Sequence, residues 1–167
     1  KLDLKKFFLV SLICTSFVSL DIMLQHLIGF DVFGIEAPSD DRLSGPFGDE
    51  DIAGSYLQKF SFFSIFYIYK NKNINNPLLI FLIVLHSVPM LLAGNRMSLL
   101  LFIFGCSIIF LLIKKLRIAV AAGLIIFTII SAIIIENNTK LQNNYESLFN
   151  SINIFKPVDY VFRDGSI

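Results

Sequence analysis

The chain has 167 residues, of which 55% are hydrophobic and 16% charged, and its mean hydropathy is +0.72. A soluble domain of this length cannot hide that much apolar surface, so the composition requires the bilayer as solvent for much of it. A net charge of +1, with no Lys/Arg cluster interleaved with aromatics, argues against nucleic acid as a partner.

The first apolar stretch follows Lys5-Lys6 and has the outline of a signal peptide, a basic region and then Phe7 to Leu20. Ile13 is too large for a lipoprotein cleavage box before Cys14, and no small-x-small site follows. Continued hydrophobic spans downstream favour a retained helix. A helix needs about 20 residues to cross a hydrocarbon core of about 30 Å. Five segments qualify or nearly so: 7–28, 52–69, 77–92, 97–113 and 118–135. The third and fourth are short and call for thinned bilayer or interfacial ends.

Loop charges set the orientation. Lys1, Lys5, Lys6, Lys70, Lys72, Lys114, Lys115 and Arg117 fall at one set of span ends. Asp31, Glu36, Asp40, Asp41, Asp49, Glu50, Asp51 and Glu136 fall at the other. Basic residues belong in the cytoplasm, which places the N-terminus inside and the C-terminal tail outside. The fold expected is therefore all-α: a polytopic membrane protein with about five transmembrane helices and an outer loop over 29–51. Residues 136–167 read as the start of an extracytoplasmic domain, since Phe155, Pro157, Tyr160 and Phe162 give them apolar content. The chain begins at Lys1 and reads as a piece of a longer polypeptide.

Candidate chemistry gathers on the outer side. In Arg42-Leu43-Ser44-Gly45-Pro46-Phe47-Gly48-Asp49-Glu50, two glycines and a proline specify a turn rather than a slack loop. Asp49, Glu50 and Asp51 can cap the next helix and complement its dipole. Arg42, a lone cation among acids, is either a surface ion pair or an anion ligand. Asn95 is placed to N-cap the fourth span, which puts Arg96 in its first turn. A cation there opposes the helix dipole, and the placement makes sense if an anion sits at the site. Anchoring to lipid headgroups is the other reading of Arg96. His86 and His26 read as structural, bundle-facing or interfacial histidines. Cys14 and Cys106 fit neither a disulfide framework nor a metal site and read as small apolar fillers. No P-loop, dinucleotide fingerprint, nucleophile elbow or zinc motif is present, so neither a metal nor a soluble cofactor is expected.

Three stretches together resemble the family of O-antigen ligases and repeat-unit polymerases of bacterial envelopes. They are Gln25 to Gly34 (QHLIGFDVFG), Arg42 to Tyr56 (RLSGPFGDEDIAGSY) and Gly94 to Met97 (GNRM), in that order. The resemblance covers roughly residues 1–135. It implies a C-type, multi-span glycosyltransferase of the bacterial inner membrane. Such an enzyme takes a glycan from undecaprenyl diphosphate at the periplasmic face. It passes the glycan to lipid A-core, as a ligase, or to another repeat unit, as a polymerase. The resemblance assigns Arg42 and Arg96 to the diphosphate, with Gly45, Gly48, Asp49, Glu50 and Asn95 in support. It expects the catalytic base, a histidine of a large outer loop, beyond Ile167. The rival class is a transporter or flippase fragment, which would show a polar stripe through its spans.

Overall fold

The computed structural model describes residues 4–37, 42–70, 76–139, 141–143 and 145–146. Of the stretch 136–167, read as the start of an outer domain, residues 140, 144 and 147–167 lie outside the described residues. Among the described residues the named helices are α1 Leu4–Ile28, α2 Ala53–Lys70, α3 Asn76–Leu92, α4 Arg96–Leu112 and α5 Arg117–Glu136. Short 3-10 turns occupy Gly45–Phe47 and Lys114–Leu116, and the described residues contain no named strand. Each helix begins and ends close to the apolar segment expected for it.

Two stretches, α1 with 25 residues and Lys114–Glu136 with 23, are long and apolar enough to cross a membrane. The expectation of about five spans is met in length and composition by these two. Helices α3 and α4 are apolar but have 17 residues each, a rise of about 26 Å. Helix α2 has 18 residues and carries Gln58, Lys59 and three serines, which dilutes its apolar character.

The bundle is apolar on its outer face as well as in its core, and the core also holds polar side chains. Leu27, Leu112 and Ile118 are 78%, 77% and 74% exposed, whereas Ser11, Thr15, Ser19, Ser61, Ser64, His86 and Ser87 are buried. The buried hydroxyls tie helices together. Ser11 Oγ donates to the Phe60 carbonyl at 3.3 Å, Thr15 Oγ1 bonds Ser64 Oγ at 2.8 Å, and Ser19 Oγ bonds His86 Nδ1 at 2.9 Å. These residues recur every four positions along α1, one face of a helix turned towards α2 and α3. Interhelical bonds of this kind contribute about 0.6 kcal/mol each, up to about 1.7. Helix α3 is the centre of the bundle, packing on α1, α2, α4 and α5. It runs through Pro89 without a break.

The end of the bundle where α1 stops and α2 starts carries the loops that matter. After α1 the chain reverses at Gly29, closes a bridge between Phe30 and Glu36, and folds around Asp31. The Asp31 carboxylate accepts the N–H groups of Phe33 at 2.9 Å and Ile35 at 2.7 Å. The following segment crosses back over α1. Gly45 donates its N–H to Gln25 Oε1 at 2.9 Å.

Candidate functional site

Arg42 and Arg96 are separated by 54 positions in sequence, yet both line one cleft of about 290 Å³ with Asp51, Ala93, Gly94, Asn95 and Met97. Main-chain bonds assemble it. The Leu43 N–H donates to the Leu92 carbonyl at 3.3 Å, which fastens the residue after Arg42 to the last turn of α3. The chain then turns through Ala93-Gly94, where Gly94 takes a φ of 66° that side chains rarely adopt. Asn95 N-caps α4, its Oδ1 accepting the Ser98 N–H at 3.3 Å, and Arg96 is the first residue of the helix. The sequence reading of this turn is thus realised atom by atom. Helix α2 supports it from the side. Asn95 Nδ2 donates to Ser55 Oγ at 3.1 Å, and a Cβ on Gly54 would come within 2.9 Å of Asn95 Cβ.

Arg42 also has the ion pair expected as its plainer reading. Its Nη1 contacts Asp51 Oδ2 at 2.6 Å, with both side chains about half exposed, 49% and 51%. An exposed pair of this kind contributes between 0 and about 1 kcal/mol. A guanidinium has five N–H donors, so the pair orients the fork without consuming it. Asp51 is thus the acid that pairs with Arg42. Met97 and Arg96 bring the start of α4 to the same cleft, so a cationic fork and the positive end of a helix dipole face one space. Tyr145 packs close by, donating its hydroxyl to the Leu91 carbonyl at 3.3 Å. Burial pushes that hydroxyl up to about 12, with the Arg96 guanidinium pulling in the opposite direction.

The supporting residues divide. Asn95 lines the cleft. Gly45 and Gly48 shape the turn before α2, with φ values of 55° and 63°, and do not line the cleft. A Cβ on Gly45 would meet Ile22 at 2.7 Å, so this glycine is also required by close approach to α1. Asp49 and Glu50 are exposed and stand outside the cleft.

Two further spaces open at the same end. An apolar groove of about 260 Å³ runs between α1, α3 and α5, bounded by Met23, Leu27, Phe81, Val88 and Ile134 among others. A polar cavity of about 430 Å³ is lined by Gln25, His26, Gly29, Phe30, Glu36, Ala37, Leu43 and Asn138. His26 borders both. Sequence reasoning missed these spaces and the part Tyr145 plays, because no local pattern couples Leu91 to a residue 54 positions later. His86 is fully buried against Ser19, in keeping with its bundle-facing assignment. Among the described residues, no three or more His, Cys, Asp and Glu side chains group as a metal site. Compared with known proteins, the chain matches no protein-family model, no curated protein sequence and no solved structure.

Proposed function

We propose that this chain is the membrane portion of a glycosyltransferase that moves an O-antigen-type glycan off undecaprenyl diphosphate at the outer face of the bacterial inner membrane. All five helices cross the bilayer in this reading, with the N-terminus inside. The observation that carries it is the shared cleft of Arg42 and Arg96. Two guanidinium groups and a helix start facing one space suit an anion with several phosphoryl oxygens. The apolar groove beside α3 suits the lipid portion of such a donor. Transfer breaks the bond between the sugar's anomeric carbon and the diphosphate and forms one to the acceptor hydroxyl, whose proton passes to a base. Negative charge grows on the departing diphosphate, and fixed cations in a partly dry site stabilise it. The acceptor, lipid A-core or a second repeat unit, is open between ligase and polymerase.

The transporter reading draws on the buried hydroxyl seam of α1, α2 and α3. Its members satisfy one another across helices, the bonding that holds polar helices together in lipid. The glycosyltransferase reading predicts that Arg42→Lys and Arg96→Lys both fail, because a lysine keeps the charge and loses the fork. In the full-length protein, each should lower transfer about a hundredfold, the equivalent of about 3 kcal/mol at the transition state. Lys115→Ala, at the opposite end of the bundle, should behave as wild type. Normal polymer transfer by Arg96→Ala at wild-type abundance would overturn the assignment.

A further inference from the structure

A second polar centre lies at the end of α1, apart from the arginine cleft. Asp21, Asp31 and Ser44 are only 1%, 3% and 1% exposed. Asp21 Oδ1 accepts the Val32 N–H at 2.7 Å, so its carboxylate is held against the loop residue next to Asp31. Asp31 Oδ1 accepts the two N–H groups of Phe33 and Ile35. Neither carboxylate is paired with a Lys or Arg among the described residues. Their second oxygens, Asp21 Oδ2 and Asp31 Oδ2, are buried and have no hydrogen-bond partner.

Ser44 is the independent observation. It stands at the N-cap of a 3-10 turn, where a serine ordinarily bonds its own backbone, yet it makes no capping bond. Its buried Oγ has no partner. The segment carrying it passes directly over Asp21: a Cβ on the adjacent Gly45 would stand 3.7 Å from Asp21 Oδ2. Three buried oxygens, from α1, the loop after it and the turn before α2, are thus left without a hydrogen-bond partner. Two carboxylates buried this close to one backbone segment can both carry charge only if a positive charge offsets them.

We propose that Asp21, Asp31 and Ser44 form a binding site for a hard divalent cation, calcium or magnesium. All the donors are oxygens, the ligand type these ions prefer, with water and backbone carbonyls completing the shell. A polar cavity borders the residues next to Asp31 and Ser44, with Phe30 and Leu43 in its lining. The cation would clamp α1 to the loop before α2. This assignment does not depend on glycosyl transfer.

The test is thermal unfolding of the purified full chain in an uncharged detergent, after chelation and then with 2 mM calcium or magnesium chloride. Exposure of the buried Cys106 to a thiol-reactive dye, in a Cys14→Ser background, reports unfolding. Wild type should gain about 3 °C with at least one of the cations. Ser44→Ala, whose lost hydroxyl makes no bond in the protein, and Asp21→Asn should lose most of that gain. Asp51→Asn should keep it. Equilibrium dialysis with radioactive calcium should find one ion on wild type and a severalfold lower occupancy on the Ser44→Ala and Asp21→Asn proteins. An unchanged gain in both variants would overturn the site. So would a wild type that ignores both cations and is stabilised instead on acidification from pH 7 to pH 5, the signature of a proton shared by the two carboxylates.

Discussion

Arg96 shows how a residue that is unfavourable locally points to its surroundings. At the first position of α4 its charge opposes the helix dipole, and no i to i+4 acid on that helix offsets it. The sequence exposes that conflict because Asn95 announces the helix start. What it hides is the partner side: nothing in the intervening positions says that Arg42 reaches the same cleft. Nor does it announce that Asp51, among three consecutive acids, is the one that pairs with Arg42. Tyr145 is a further residue of this kind, readable only once the chain is folded. Its hydroxyl is held neutral by burial, pushed up to about 12 from an ordinary 10. In the unfolded chain the phenol would lose its proton near pH 10. Its share of stability is therefore complete below pH 10 and is lost as pH rises towards 12. Alkaline unfolding followed by circular dichroism should show a decline in that window that Tyr145→Phe blunts. An identical pH profile for the variant would remove Tyr145 from the account.

At the scale of elements, hydropathy made all five helices legible, since long apolar runs bounded by charged or glycine-bearing turns leave little else for the backbone to do. The turn at Gly45–Phe47 was legible for a different reason: a proline between two glycines fixes one φ and permits positive φ on either side. The seam of Ser11, Thr15 and Ser19 was not. Hydroxyls weigh near zero in a hydropathy sum, and which face of an all-apolar helix turns inward depends on neighbours the sequence does not reveal. The same applies to Gly54, which reads as one more small residue near a helix start. It is where α2 and the Asn95 turn touch. Gly54→Val should force these apart, loosening the bond between Asn95 and Ser55. The expected outcome is a fall in transfer of tenfold or more, with the protein still inserted and abundant, since the rest of α2 packs through Leu57, Ile65 and Ile68. Gly54→Ala, with a single methyl to accommodate, should fall between the two. Wild-type transfer by Gly54→Val would show that the turn does not need α2.

For the whole molecule, the arrangement of charge and apolar surface has one clear reading and one clear test. The outer surface of the bundle is apolar along α1, α4 and α5, and basic residues crowd one end. On the proposed topology, Lys114 and Lys115 face the cytoplasm while Asp49 and Glu50 face out. Single cysteines at Asp49 and at Lys115, in a Cys14- and Cys106-free protein, should differ sharply towards a membrane-impermeant thiol reagent. In intact spheroplasts position 49 should be labelled and position 115 should not. Labelling of position 115 alone would invert the topology and place both arginines on the cytoplasmic side, away from any periplasmic donor.

The last turn of α3 receives more than its own helix supplies. The Leu91 carbonyl takes the Gly94 N–H and the Tyr145 hydroxyl, and the Leu92 carbonyl takes the Leu43 N–H. Helix ends ordinarily leave such carbonyls to water. Here they act as a mounting plate on which the stretch bearing Arg42 and the turn bearing Arg96 are both bolted through main-chain atoms. The interval between the two arginine Cα atoms is then a property of the backbone, and the side-chain torsions of each arginine set where its charge lies. On the proposed function, an arriving anion would meet two arginines whose backbones are already placed, and would lose less of its binding free energy to ordering the site.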